Sequence, residues 1–180
     1  MRKVRNIVVF LLVIGLMLCS VIAVYAADPY IACGSETGKV TVKDYASVNN
    51  YAWIRIIGDG IAAWNNSSAN VSISTSASSD NLIEAARYND TWYGLTTQEC
   101  YTSTGYTIKF TIQINARIID EDATDIFSFA TSTVAHEFGH VFWLCDDPNT
   151  TKASLMKHSR DRNTMTTPQQ FDIDNVNAKY

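Results

Sequence analysis

Three residues within a five-residue run could do chemistry together: His136, Glu137 and His140, in His136-Glu137-Phe138-Gly139-His140. On a helix, residues four apart share a face, so both imidazoles can reach one ion. Two neutral imidazoles suit zinc. Glu137, beside the first imidazole, can face a water on that ion and take its proton. Zinc lowers the pKa of a bound water toward about 7, which supplies a strong nucleophile near neutral pH. The chain has 3 His in all and two of them are in this run. A chance match on an ordinary helix is therefore uncommon, but it is the competing reading.

A catalytic zinc needs a third protein ligand and an open fourth position. Asp146 stands six residues past His140. That is too far for one straight helix face. It works if the helix stops and the chain turns back under the metal. Asp147 is the nearest substitute.

From His136 to Asp146 the chain reads His-Glu-Phe-Gly-His-Val-Phe-Trp-Leu-Cys-Asp. This resembles the metzincin metallopeptidases, whose pattern is His-Glu-x-x-His-x-x-Gly-x-x-(His or Asp). Both His, the Glu and the last position match. The Asp in last place resembles the snapalysin-type minority. The departure is Trp143, where the family usually has Gly. That Gly turns the chain sharply, often with positive φ, which costs a bulky residue about 1 kcal/mol or more. Either the turn is built differently here, or Asp147 takes the place of Asp146.

Ser154-Leu155-Met156 is similar to the family's Met-turn, in which Met156 would be an apolar floor beneath the metal and no ligand. A plain core Met packs in almost the same way. Residues 167–174, Thr-Pro-Gln-Gln-Phe-Asp-Ile-Asp, resemble the start of a matrixin-like C-terminal helix. Asn65, after Ala62-Ala63-Trp64, closes a helix like the family's first. The resemblance touches most of residues 30–180, and only 136–156 is specific. It implies a zincin fold of the metzincin type: α+β, a small twisted mixed sheet, an active-site helix and a C-terminal helix.

The resemblance also implies roles. His158 lies two residues past Met156, where astacin- and serralysin-like members have a Tyr that helps stabilise an oxyanion; an imidazole could donate that hydrogen bond. A surface His beside Lys157 and Arg160 is the plainer reading. An edge strand pairs with extended substrate in this family, and residues 106–119 are the candidate, against an ordinary interior strand. The subsite past the scissile bond would be walled by the helix near Val134–Ala135 and by the segment after Met156. Cys33-Gly34 could plug the zinc as a thiolate, although a disulfide or a buried thiol suits Cys33 better. The acidic residues 120–125 could hold calcium, although an exposed acidic turn before a helix explains them without it.

The elements that must position these groups are legible in part. Residues 39–42 read as a short strand. From Val48 to Asn65, the spacing of Ile54, Ile57, Ile61 and Trp64 predicts an amphipathic helix, with Gly58 and Gly60 weakening its middle. Residues 70–75 alternate, with Val71 and Ile73 on one face. Residues 81–88 are ambiguous between helix and strand. In 106–119, Ile108, Phe110, Ile112 and Ile114 alternate with polar residues, as in a half-buried strand. An acidic loop, Asp120-Glu121-Asp122, follows. A helix is expected from Ser128 to about Phe142, with Phe129, Thr133 and Phe138 or Val141 on its core face. The last helix is expected to start at Thr167 as N-cap with Pro168 at its first position; Ile173, Val176 and Tyr180 give it an apolar stripe.

Residues 1–26 have the three-part pattern of a secretory signal: a basic start, an apolar run from Ile7 to Val24, and Val24-Tyr25-Ala26 before a cleavage point. An uncleaved membrane anchor is the alternative. A lipoprotein reading at Cys19 is disfavoured by Leu18. Residues 27–180 are then one metzincin-like catalytic domain. Apolar residues make up 47% and charged residues 18%, a balance that excludes a disordered chain. The formal charge is −4, which argues against nucleic-acid binding. Three of the 14 basic residues precede Asn6 and none of the 18 acidic ones precedes Asp28, so the body is more acidic still. Export leaves Cys33, Cys100 and Cys145: one disulfide at most, in any of three pairings, and one spare thiol. Asn65, Asn66, Asn89 and Asn149 head Asn-x-Ser/Thr sites that matter only if the host glycosylates.

The sequence thus points to a secreted zinc endopeptidase, or one held at the cell surface if the leader is kept. One zinc would be bound by His136, His140 and Asp146, with Glu137 as the base. The expected partner is a protein or peptide substrate, with no nucleic acid, no stable membrane anchor after cleavage, and a monomeric chain. The rivals are a catalytically inactive zinc-binding interaction module and a secreted scaffold with a chance motif.

Overall fold

Alternation along the longest apolar run buries Phe110, Ile112 and Ile114 on one face, as half-buried strands require. The computed structural model describes residues 28–46, 51–147 and 149–180. The expected leader, its cleavage point after Ala26, and Val48 at the expected start of the first helix lie outside the described residues. The elements in chain order are β1 (Lys39–Tyr45), α1 (Tyr51–Asn65), β2 (Ser72–Thr75), β3 (Leu82–Ala86), β4 (Gly94–Cys100), β5 (Thr107–Asn115), α2 (Ala116–Asp122), α3 (Ile126–Val141) and α4 (Gln170–Asn177). Among the described residues they form an α+β structure with a five-stranded mixed sheet and four helices. Among those residues too, no helix is long and apolar enough to cross a membrane.

The sheet order is β2-β1-β3-β5-β4. β1 pairs in parallel with β2 and β3, and β3 in parallel with β5, from Leu82↔Thr111 to Ala86↔Asn115. β4 runs antiparallel to β5, from Gly94↔Ile114 to Cys100↔Thr107. The run 106–119 is therefore not an edge strand: β5 is interior, and β4, for which no sequence pattern was found, is the edge beside it. The run also ends early. Asn115 accepts the Arg117 N–H and caps α2, so residues 116–122 are helical, including the three acids expected in a loop.

Those acids are already engaged. Asp120 accepts from Arg87, Glu121 from Arg117 at 2.9 Å, and Asp122 from the Tyr93 hydroxyl at 2.7 Å. Residues 81–88, ambiguous in sequence, carry β3. Its Ile83 and Ala85 are buried in the centre of the sheet, where burial outweighs the helix propensity of Leu-Ile-Glu-Ala-Ala.

α1 and α3 pack on each other, and the core lies around them and the sheet. The phase of α1 differs from the expected one. Ile54 is 53% exposed, while Trp53 and Ile56 join Ile57, Ile61 and Trp64 inside. Gly60 is a close-approach position: a Cβ there would lie 2.3 Å from Val134 Cγ1. The polar Asn65 amide closes α1 onto β2, donating to Ile73 O and accepting from Ile73 N, both at 2.8 Å. α4 starts later than expected. Gln169, not Thr167, is the N-cap, in a capping box with Asp172. Ile173 and Val176 are buried, and the Tyr180 hydroxyl donates to Ser35 O at 3.1 Å. Cys33 and Cys100 form the disulfide, with Cα atoms 6.1 Å apart. This selects one of the three pairings and removes Cys33 as a zinc plug. Cys145 is free and its thiol donates to Asp28 O.

Candidate metal centre

α3 carries the first three groups. It starts two residues before the expected Ser128, because the Asp125 carboxylate caps it by accepting from the Phe127 and Ser128 N–H groups. Twelve of its residues are buried, His136 and Glu137 among them. The Trp64 indole N–H donates to Ala135 O at 2.7 Å, which fixes the turn just before His136. Gly139 lies on Met156: a Cβ there would sit 2.5 Å from Met156 Sδ. The Met is thus a packed floor beneath the helix.

The end of α3 answers the question posed by Trp143. Trp143 has φ +74°, the left-handed conformation expected of a Gly. Leu144 N–H donates to Gly139 O at 3.0 Å and Trp143 N–H to His140 O at 3.2 Å, a Schellman closure of the helix. The indole is held by its own contacts. Its N–H donates to Ser35 O at 2.9 Å, it meets Tyr106 edge-on, and Lys179 Nζ lies 4.9 Å from its ring. The chain turns back as the third-ligand reading requires.

Turned this way, Asp146 Oδ1 lies 3.1 Å from His136 Nε2, 3.9 Å from His140 Nε2 and 3.0 Å from His158 Nε2. Asp147 is engaged elsewhere, accepting the Thr150 N–H at 2.9 Å. His136 Nδ1 is 2.9 Å from Leu155 O, and His140 Nδ1 is 2.8 Å from Leu144 O. A carbonyl oxygen only accepts, so each Nδ1 donates, and each Nε2 is turned into the cleft. Burial pushes His136 down to about 3 against the pull of Asp146, so its ring is neutral near pH 7. The Nε2 atoms of both imidazoles and a carboxylate oxygen therefore converge. Acceptors this close repel one another unless a cation lies among them. His136, Glu137 and His140 form a group that could hold a metal ion, and the donor set fits zinc.

Glu137 is buried, with Oε1 4.0 Å from His136 Nε2 and Oε2 accepting from the Thr96 hydroxyl at 2.8 Å. Burial pushes its carboxyl up, toward a stronger base. Gly94, Leu95 and Thr96 of β4 line the cleft with His136, Glu137 and His140. In the stretch of α3 near Val134–Ala135, Thr133 lines the cleft, while Val134 and Ala135 themselves are buried in the core. His158 is exposed at the rim.

Several contributors had no signal in the sequence: Thr96, which bonds Glu137, Gln98, which donates to His140 O at 3.1 Å, and Arg160 and Arg162 in the cleft wall. Asp172 accepts from the Ser154 hydroxyl at 2.6 Å and the Leu155 N–H at 2.7 Å, which holds the carbonyl that orients His136. A capping-box search would have found this residue, though not its reach to Leu155.

No protein-family model matches the chain, and no curated protein matches it. Among solved structures, the GM1-bound form of the ECX AB5 holotoxin is similar, with TM-score 0.57, 12% identity, and coverage of 79% of this chain and 80% of that chain. The structure of myroilysin matches with TM-score 0.43 and 16% identity, over 65% of this chain and 53% of that chain. The first of these is a likeness of fold alone.

Proposed function

We propose that this protein is a secreted, zinc-dependent endopeptidase of the metzincin type. One observation carries the reading: the Nε2 atoms of His136 and His140 converge with Asp146 Oδ1 beside a buried carboxylate, in a cleft walled by a sheet edge. His136, His140 and Asp146 would hold the ion. When bound, zinc supplies a Lewis acid and lowers the pKa of water toward about 7.

The chain's own groups do the rest. Glu137 accepts a proton from the attacking water and passes it to the leaving amine. The Thr96 hydroxyl fixes Oε2, which leaves Oε1 on the histidine side. The outer edge of β4 offers unpaired backbone groups, so an extended peptide could add as a further strand. His158 would donate a hydrogen bond to the developing oxyanion, and Met156 would serve as the floor. Residues 1–26 would be removed as a signal peptide. The Cys33–Cys100 disulfide supports an oxidising destination.

The test is peptide-library cleavage by the purified protein with zinc, run beside Glu137→Ala with zinc content measured for both. Cleavage by the wild type alone, with zinc in both, is expected. Zinc in both and cleavage by neither would replace the enzyme with an interaction module. No zinc in either would reduce the motif to chance. Replacing His158 with Phe while zinc content holds should lower turnover more than about tenfold; an unchanged rate removes His158 from the mechanism.

A further inference from the structure

The cleft wall holds two guanidiniums that peptide hydrolysis does not use. Arg160 is 7% exposed. Its Nε donates to Ser132 Oγ at 3.2 Å, one terminal nitrogen to Lys157 O at 2.9 Å, and the other reaches Ser132 O at 3.4 Å. Three of its five N–H groups are thereby used. Arg162 stacks on two rings, with its guanidinium carbon 4.8 Å from the Tyr93 centroid and 5.6 Å from that of Phe129. One terminal nitrogen donates to His158 O at 3.1 Å, and its buried Nε has no hydrogen-bond partner. Both residues line the cleft with His136, Glu137 and Asp146.

Their charge is uncompensated at close range. Arg55, Arg87 and Arg117 each have a carboxylate within 4.0 Å. Among the described residues, Arg160 and Arg162 have none. Glu137 is committed to Thr96 and Asp146 to the histidines, so neither is free to turn to them. Burial pushes both guanidiniums down, and Arg162 adds repulsion to Arg160. A guanidinium nevertheless keeps its proton; Glu137, Asp146 and Asp172 offset part of the Arg160 charge, and Glu137 and Asp146 part of the Arg162 charge, from beyond contact, and an arriving anion would supply the direct partner that both lack. Planar forks with free N–H groups match a carboxylate. Arg160 is anchored to Ser132 of α3 and to the segment after Met156, the side that the metzincin resemblance assigns to residues past the scissile bond.

We propose that Arg160 and Arg162 form a subsite for the side-chain carboxylate of an Asp or Glu on the leaving-group side of the scissile bond. This rests on the endopeptidase reading and adds the substrate class: peptides with an acidic residue just past the cleaved bond.

The test uses zinc-loaded protein and quenched peptides with amidated C-termini, carrying Glu, Gln, Leu or Lys at each position flanking the scissile bond. The expected kcat/KM for Glu exceeds that for Gln by about tenfold or more at one position on the leaving-group side. The ratio should fall toward one in Arg162→Gln and in Arg160→Gln. Arg160→Lys, which keeps the charge and loses the fork, should retain part of it. A merely structural role for these arginines would slow Glu and Gln peptides alike and leave the ratio intact. Arg162 is half-buried, so its variant keeps the test open if Arg160→Gln fails to fold. Equal cleavage of Glu and Gln peptides by the wild type, or a ratio unchanged in Arg162→Gln, overturns the proposal. So does a preference that appears only with free-acid C-termini, which would assign the arginines to a terminal carboxylate. If nothing is cleaved, the endopeptidase reading falls. Calorimetry of Glu and Gln peptides on Glu137→Gln protein then still reads the subsite: equal affinity overturns it, and tighter binding of the Glu peptide supports it.

Discussion

Trp143 offers a test in which the usual ranking of two substitutions reverses. At most positions Ala is more stable than Gly by about 0.4–1 kcal/mol, because Gly has more unfolded conformations to lose. At φ +74° an L-residue with a Cβ costs about 1–2 kcal/mol that Gly avoids. The difference leaves Trp143→Gly more stable than Trp143→Ala by about 0.5–1 kcal/mol. Both variants lose the indole. Its hydrogen bond to Ser35 O, its edge contact with Tyr106 and its packing against Gly34 go with it, so both should fall below the wild type by about 3 kcal/mol. Urea unfolding with the disulfide intact measures all three proteins on one scale. Ala equal to or above Gly would refute the left-handed turn, and with it the route by which Asp146 returns to the histidines. Either variant matching the wild type would refute the claim that indole packing compensates the strained backbone.

Other perturbations probe the supports of the site. Replacing Cys33 and Cys100 with Ser opens a link across a sequence separation of 67; loss of about 4 kcal/mol is expected in urea unfolding, and a loss below 1 kcal/mol would contradict it. Asp125→Ala should lower the melting temperature at neutral pH. Hydrogen bonds from Ser128, its hydroxyl first, hold Asp125 below its usual range. A depressed carboxyl stabilises the fold above its unfolded pKa near 4, and the effect is lost as pH falls through the folded value. The gap between wild type and variant should therefore close in acid; a gap constant from pH 7 to pH 2 removes the cap. Asp172→Ala strands the Ser154 hydroxyl and the Leu155 and Gln169 N–H groups. It should cost about 3 kcal/mol and weaken zinc binding about tenfold or more through His136, with isothermal titration as the check.

The groups best read from the sequence are those whose spacing is local. His136, Glu137 and His140 share one turn of helix, so three letters and a period suffice. Asp146 needed one inference more, a reversal after His140, and it converges with them. β4 was illegible because nothing in Gly-Leu-Thr-Thr-Gln-Glu-Cys alternates in hydropathy. Its half-buried face is filled by Thr96 and Gln98, which bond α3 instead of packing in the core. An edge strand over a polar site has no apolar stripe to announce it. α2 was hidden for the opposite reason: Ala116 and Ile119 are buried and extend the apolar run without a break, and only the Asn115 cap marks the change. In α1, Ile54 is apolar by type yet lies on the outer face. Gly60 faces Val134, and Trp53 and Ile56 lie inside.

The site is built so that its geometry depends on chain far away in sequence. Each imidazole is oriented by a carbonyl outside α3: His136 by Leu155 and His140 by Leu144. Leu144 is held by the turn through Trp143 and by the antiparallel bridge to Tyr30, with Pro29 O accepting the Cys145 N–H at 2.8 Å. Leu155 is held by Asp172, the same carboxylate that caps α4. The Met156 carbonyl, one residue on, accepts the Asp147 N–H at 3.1 Å and ties the two loops together. The bridge to Tyr30 and the Asp172 carboxylate come from outside the helix that carries the His-Glu-Phe-Gly-His run, so a chance motif on an isolated helix would lack both. An ion held as proposed, by both Nε2 atoms and Asp146 Oδ1, would favour only the state in which both loops are docked, and would stabilise it by mass action.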